Sequence, residues 1–171
     1  MKKSVYLIDS LPYVFRAYFA LPEIRSPRGQ SVHAVYGFAS FLIKLLLEEK
    51  PDYVAATFDE SLTGSFRNEM YPPYKANREL PPPDLEAQLK YCRRAAEVLG
   101  CRVFADRRYE ADDLIATLRR RFGNNSLRFV VVSGDKDLMQ LVDGRTQYYH
   151  FAKGARLDVR DVKREMGIYP E

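Results

Sequence analysis

Residues 109–118 read Tyr109-Glu110-Ala111-Asp112-Asp113-Leu114-Ile115-Ala116-Thr117-Leu118, with three carboxylates in four positions at the start of a helical pattern. At about 100° per residue, Ala111, Leu114, Ile115, Leu118 and Phe122 fall on one apolar stripe, flanked by Glu110 and Asp112, with Asp113 close to Glu110. The pattern predicts a helix buried along its stripe and acidic at its mouth. Acids in a first turn complement the helix dipole, each by about 0.3–1 kcal/mol. Three together repel by roughly 4 kcal/mol per pair at about 4 Å and an effective dielectric of about 20, so the dipole alone does not account for them. A divalent cation would.

Outward from this helix the chain alternates between two periods. Val5-Tyr6-Leu7-Ile8 is a short apolar run that ends at Asp9, Tyr53 to Phe58 is a second that ends at Asp59, and Arg102-Val103-Phe104 is a third that leads into the acidic helix. Arg128 to Val132 is a fourth, ending in Ser133-Gly134-Asp135-Lys136-Asp137. Helical patterns run from about Val32 to Glu49, stopped by Lys50-Pro51, and from Asp84 to Leu99, closed by Gly100, while Asn124-Asn125 breaks the acidic helix. An aromatic strand from Gln147 to Phe151, a hairpin at Lys153-Gly154 and a short helix from Asp158, stopped by Gly167 and Pro170, complete the pattern. Strands and helices in this alternation predict an α/β fold with three layers, a mostly parallel central sheet covered by helices on both faces. With 171 residues, 46% of them hydrophobic, the chain can bury one ordinary core, so residues 1–171 are expected to form a single domain.

Residues 61–83 break the alternation. They hold Pro72, Pro73, Pro81, Pro82 and Pro83, the basic Arg67, Lys75 and Arg78, and the aromatic Phe66, Tyr71 and Tyr74. The prolines predict an excursion from the core without regular hydrogen bonding at its ends, and without rigidity of its own. Lys75 and Arg78 lie three apart, on one face if helical, where they would neutralise phosphates while the tyrosines offer stacking faces to unpaired bases. The plainer account is a solvated, basic loop.

In a parallel sheet ligands bind beyond the carboxyl ends of the strands, and Asp9, Asp59, Asp135 and Asp137 all fall there, joined by Glu110, Asp112 and Asp113. Singly each has a structural reading: Asp137 with Gln140 as a capping box, Asp9 or Asp59 as the cap of a following turn, Asp135 as the partner of a Gly turn. Seven acids at one sheet edge would destabilise the fold if left unpaired, and no basic counterpart of that size is evident in the sequence. Ligands that are all oxygen select Mg2+ or Mn2+ over zinc, and two such ions about 3.5–4 Å apart suit phosphodiester hydrolysis. A Gly-rich phosphate loop and a Gly-x-Ser-x-Gly elbow are both missing, and neither His33 nor His150 has a recognisable partner. Cys92 and Cys101 read as two reduced thiols, partly buried. A net charge of +4 beside so dense an acidic cluster requires basic residues concentrated elsewhere, as an anionic polymer partner would favour. Arg93-Arg94 and Arg119-Arg120-Arg121 read as solvent faces of their helices. The absence of any run of 18 apolar residues, and a start at Met1-Lys2-Lys3-Ser4-Val5 that leads into a strand, predict a cytoplasmic protein with no membrane partner.

Taken together, Leu7-Ile8-Asp9 with Phe15-Arg16-Ala17-Tyr18, Phe58-Asp59, Phe66-Arg67 with Tyr74-Lys75-Ala76-Asn77-Arg78, Glu110-Ala111-Asp112-Asp113 and Gly134-Asp135-Lys136-Asp137 resemble, in order and spacing, the 5′ nuclease family. That family includes flap endonucleases and the amino-terminal domain of bacterial DNA polymerase I, which this chain resembles most. The resemblance implies a PIN-like, resolvase-like fold and metal-dependent 5′-3′ exonuclease or flap endonuclease activity in DNA replication and repair. Its substrate would be DNA with a free 5′ end or 5′ flap. It implies Asp9, Asp59, Glu110, Asp112, Asp113, Asp135 and Asp137 as metal ligands, and Arg16, Lys75 and Arg78 as the residues that handle the scissile phosphate. Arg67, Tyr74, Lys75 and Arg78 would bind nucleic acid in an arch formed by residues 61–83. Ser10 stands where the family has Gly. The family continues into two further metal-binding aspartates and a helix-hairpin-helix region, with a polymerase following in some parent chains; this chain reaches Tyr169-Pro170-Glu171 before any of these. An RNA-cleaving enzyme of the PIN type and a non-catalytic nucleic-acid-binding module with an incomplete metal site remain as alternatives.

Overall fold

A computed structural model describes residues 2–60, 64–77, 81–123 and 126–170. Six strands, β1 (Lys3–Asp9), β2 (Tyr53–Asp59), β3 (Arg102–Asp106), β4 (Leu127–Val132), β5 (Thr146–His150) and β6 (Ala155–Leu157), form one sheet in the order β3-β2-β1-β4-β5-β6. All neighbours are parallel except the β5–β6 hairpin, whose turn uses Gly154 at φ +63°. The helices are α1 (Leu11–Ala20), α2 (His33–Glu49), α3 (Phe66–Met70), α4 (Pro83–Val98), α5 (Ala111–Phe122) and α6 (Val159–Met166).

The apolar runs of β1 and β4 are continuous because both faces of the sheet are covered. Tyr6, Ile8, Val130 and Val132 pack on one face with Val14, Phe38, Leu42, Leu45, Leu85 and Leu89, from α1, α2 and α4. Leu7, Phe129 and Val131 pack on the other with Ile115 of α5, Leu138 and Val162 of α6. Each such fully buried side chain contributes about 1.5–3 kcal/mol. Helices α1 and α2 approach so closely at Gly37 that a Cβ there would lie 2.5 Å from that of Ala17. Among the described residues no helix is long and apolar enough to cross a membrane.

Three expectations are corrected. Phe122, the last residue of α5, is half exposed, so the stripe that packs into the core ends at Leu118. Arg119 does not face solvent: its Nε donates to Thr146 Oγ1 (2.9 Å), its guanidinium pairs with Asp143, and it lies over the Phe129 ring. Arg93 likewise turns inward, donating to the Asp59 carbonyl (2.9 Å) over the ring of Phe58. Arg94, Arg120 and Arg121 are exposed as expected, whereas Asn124 and Asn125 lie outside the described residues. Both cysteines are free and buried, and burial raises their thiols to about 12 for Cys92 and about 11 for Cys101.

Candidate active site

The strand order reverses between β1 and β4, and their register, Ile8 opposite Val132, sets Asp9 beside Ser133 at the point where such sheets bind ligands. A cavity of about 670 Å3 opens there. Its polar wall is Asp9, Asp59, Glu110, Asp112, Asp135 and Lys75; its apolar wall includes Leu11, Pro12, Phe15, Phe19 and Leu85. Five of the seven predicted acids therefore share one cavity.

Asp9 ends β1 almost fully buried, and its Oδ2 accepts a hydrogen bond from Ser133 Oγ at 2.7 Å. Burial, then the charges of Asp112, Asp59 and Asp135, push its pKa up to about 7 against the pull of that hydrogen bond. Burial and the charges of Asp135, Asp59 and Glu110 push Asp112 up to about 6. Asp59 reaches across to α5, where its Oδ1 accepts from the Ala111 N–H at 2.6 Å; the turn that follows Asp59 lies outside the described residues. Asp135, at the end of β4, accepts from the Asp137 N–H (2.9 Å) and so caps the 3-10 turn Lys136–Leu141. The cap there is Asp135, not Asp137 with Gln140, because the turn starts two residues earlier than a box on Asp137 requires.

Two of the seven acids, Glu110 at the cavity and Asp113 beside it, are already paired. Lys75 Nζ lies 2.8 Å from Glu110 Oε2, and Arg67 grips both oxygens of Asp113, which also accepts from the Glu110 N–H at 3.0 Å. Burial pushes both carboxyls up, yet the hydrogen bond and charge of Lys75 hold Glu110, and those of Arg67 hold Asp113, below the ordinary carboxylate value. The basic counterpart that composition did not reveal is thus the excursion itself. Its described residues, 64–77, are ordered against α5: the Ser65 hydroxyl caps α3, Asn68 Nδ2 donates to the Tyr74 carbonyl at 2.6 Å, and the Phe66 ring meets that of Tyr109. Tyr74 has Arg67 and Lys75 over its ring and donates to Glu110 at 3.3 Å. Lys75 sits in a turn at φ +56°, so the helical spacing assumed for Lys75 and Arg78 does not hold, and Arg78 itself lies outside the described residues.

The remaining predicted residues lie apart. Asp137 is exposed and borders a different recess, with Met166 and Tyr169. Arg16 is exposed on α1, near enough to His150 for its charge to add to burial and Lys153 in lowering that histidine's pKa. His33 is buried, bonded to Ser31 and packed against the ring of Tyr18 at a tilt of 32°, a structural role. Sequence reasoning passed over Ser133 and the aromatic pair Phe15 and Phe19; adjacency to Gly134-Asp135 was the one signal that pointed at Ser133. Among the described residues no group of three or more His, Cys, Asp or Glu side chains is drawn together closely enough to hold a metal ion. Asp9, Asp59, Asp112 and Asp135 are instead more loosely gathered around the cavity, all of them oxygen donors, and the charges of Asp59 and Asp135 bear on both Asp9 and Asp112.

Residues 4–167 match the family described as the 5′-3′ exonuclease, N-terminal resolvase-like domain. The chain is 41% identical over 175 aligned residues to DNA polymerase I of Mycobacterium leprae, covering 99% of this chain and 19% of that protein. It is 35% identical over 175 residues to DNA polymerase I of Bacillus subtilis, covering 99% and 20%. It therefore spans about a fifth of the length of these relatives. In fold it is similar to the T5 D15 protein co-crystallised with metal ions, with a TM-score of 0.74 at 19% identity over 97% of this chain and 61% of that one. A T5 D15 flap endonuclease in a pseudo-enzyme-product complex with DNA and metal ions gives 0.67 at 19% identity, over 97% and 61%. The strand order, the acids at the switch point and the match over residues 4–167 agree: the chain belongs to the 5′-3′ exonuclease family, as its N-terminal, resolvase-like domain.

Proposed function

We propose that this chain hydrolyses phosphodiester bonds of DNA bearing a free 5′ end or 5′ flap, with Mg2+ or Mn2+, in DNA replication and repair. The observation that carries the reading is the gathering of Asp9, Asp59, Asp112 and Asp135 around one cavity, where the charges of Asp59 and Asp135 add to burial in raising the pKa of Asp9 and of Asp112. All donors are oxygen and their repulsion is what a divalent ion relieves, so the set fits such an ion. The metal ions and DNA in the T5 structures support the same chemistry. When bound, the ion supplies Lewis acidity toward a phosphate and lowers the pKa of a water.

The chain's own residues divide the work. Asp9, Asp59, Asp112 and Asp135 would hold the ion. Lys75 and Arg67, which neutralise Glu110 and Asp113 in the free protein, would turn to the phosphates of an incoming strand and leave those two acids as further oxygen donors beside the cavity. Arg16, Lys75 and Arg78 act on the scissile phosphate and the 5′ strand, and Tyr74 offers its ring to an unpaired base. Relatives five times as long carry a polymerase name, so this unit would work covalently joined to further domains.

The test joins thermal melting with cleavage. Mn2+ should raise the melting temperature and support cleavage of a 5′-flapped DNA, and Asp112→Asn should remove both effects while the chain stays folded. No response to Mn2+ in either assay would leave the carboxylates as helix and turn caps only. Faster cleavage of a matched RNA flap would favour the RNA-cleaving alternative.

A further inference from the structure

Ser133 is fully buried at the end of β4 and joins three strands. Its hydroxyl lies 2.7 Å from Asp9 Oδ2, on β1, and 2.9 Å from the main-chain N of Asp135. Its carbonyl accepts from the Tyr148 hydroxyl of β5 at 2.9 Å. A hydroxyl has one hydrogen to give. Because the Asp135 N–H is itself a donor, Oγ must accept there, and its single hydrogen is committed to Asp9. The orientation of this hydroxyl is thus set by its neighbours, and it couples the carboxylate of β1 to the loop that carries the carboxylate of Asp135.

We infer that Ser133 is a positioning residue for the cation site, holding Asp9 and Asp135 in one fixed relation so that both reach the same ion; this rests on the metal-dependent reading above. Asp9, which lines the cavity, gives one oxygen, Oδ2, to the serine. Asp135 is placed through its backbone and through the hydrogen bond its Oδ1 accepts from the Asp137 N–H, and its side chain lines the cavity wall. The hydroxyl does for these carboxylates what outer hydrogen bonds do for metal-binding side chains generally: it fixes the ligand before the ion arrives.

The experiment is calorimetric titration of the 171-residue chain with Mn2+, beside melting curves taken without metal. Ser133→Ala should bind Mn2+ about tenfold to a hundredfold more weakly, the usual effect of losing such a partner. Tyr148→Phe removes a buried hydrogen bond to the same residue but leaves the hydroxyl in place, so it should bind Mn2+ within about threefold of the wild type even where its melting temperature falls as far. Equal weakening in the two variants, or wild-type affinity in Ser133→Ala, overturns the positioning role and leaves the metal reading intact. A wild-type chain that takes up no Mn2+ overturns both. Should Ser133→Ala melt too low to titrate, Ser133→Thr decides: it keeps the hydroxyl and should match the wild type, and a tenfold loss in the folded Thr variant, about 1.4 kcal/mol, counts against the inference.

Discussion

Both carboxylate oxygens of Asp113 are held by one guanidinium: Arg67 Nη1 lies 2.7 Å from Oδ2 and Nη2 lies 2.7 Å from Oδ1. The pair is partly buried and bidentate, so it is stronger than a surface ion pair, and it ties the segment 64–77 to the first turn of α5. Arg67→Ala should destabilise the chain by about 2 kcal/mol, as expected for hydrogen bonds to a charged group, and speed amide exchange in α3. Arg67→Lys should recover little, since an ammonium lacks the fork. Chemical denaturation with hydrogen exchange measures both.

Lys75 meets Glu110 in the free protein and, on the proposed function, a phosphate in the complex. Lys75→Ala should lower cleavage of a 5′-flapped DNA about tenfold or more and reduce the slope of log affinity against log salt by about 1. Its melting temperature should move much less than its rate. Rates and affinities across a salt series are the measurement, and a large fall in stability with cleavage intact would reverse the assignment.

Asp9 and Asp112 make the metal-free chain sensitive to pH. Their folded pKa values, about 7 and about 6, lie above the ordinary 3.8, so between those limits the folded state binds more protons than the unfolded one. Their contribution is favourable at low pH and is lost as pH rises from about 4 to about 7, at about 1.4 kcal/mol per pKa unit for the buried Asp9. Glu110 and Asp113, held low, act oppositely: their contribution is present at neutral pH and is lost only as pH falls through the carboxylate range. Asp9→Asn should therefore flatten the decline and, at pH about 8 without metal, melt above the wild type, an exchange of function for stability. Melting curves across pH, with and without Mn2+, check it.

Gly37 tests the packing of α1 on α2. Alanine favours a helix interior over glycine by about 1 kcal/mol, but a Cβ here would lie 2.5 Å from Ala17 Cβ and 2.7 Å from Leu21 Cδ1. Ala17 has no rotamer to give, so the helices must separate, at about 1–3 kcal/mol. Gly37→Ala should lower stability on balance, by urea denaturation, without changing Mn2+ affinity.

The elements of this protein were legible because their signals are local. Runs such as Val5 to Ile8 and Arg128 to Val132, the stop at Lys50-Pro51 and the hairpin at Lys153-Gly154 each need only neighbouring residues, and the alternation of strand with helix implies the parallel sheet. The acids at strand ends followed from that topology, and Asp9, Asp59, Asp112 and Asp135 do line one cavity. Which charge meets which could not be read the same way. Arg67 reaches Asp113 across 46 positions and Ser133 reaches Asp9 across 124, while Arg119, polar and near a helix end like Arg120, is partly buried because Asp143 and Thr146 come to it. The sequence by itself determined the layers, the sheet and the edge where the acids collect, since these depend on periodicity. The tertiary structure alone decided which of those acids are neutralised and which stay in mutual repulsion, because a charge interaction depends on distance and burial, and both are settled only when remote segments pack.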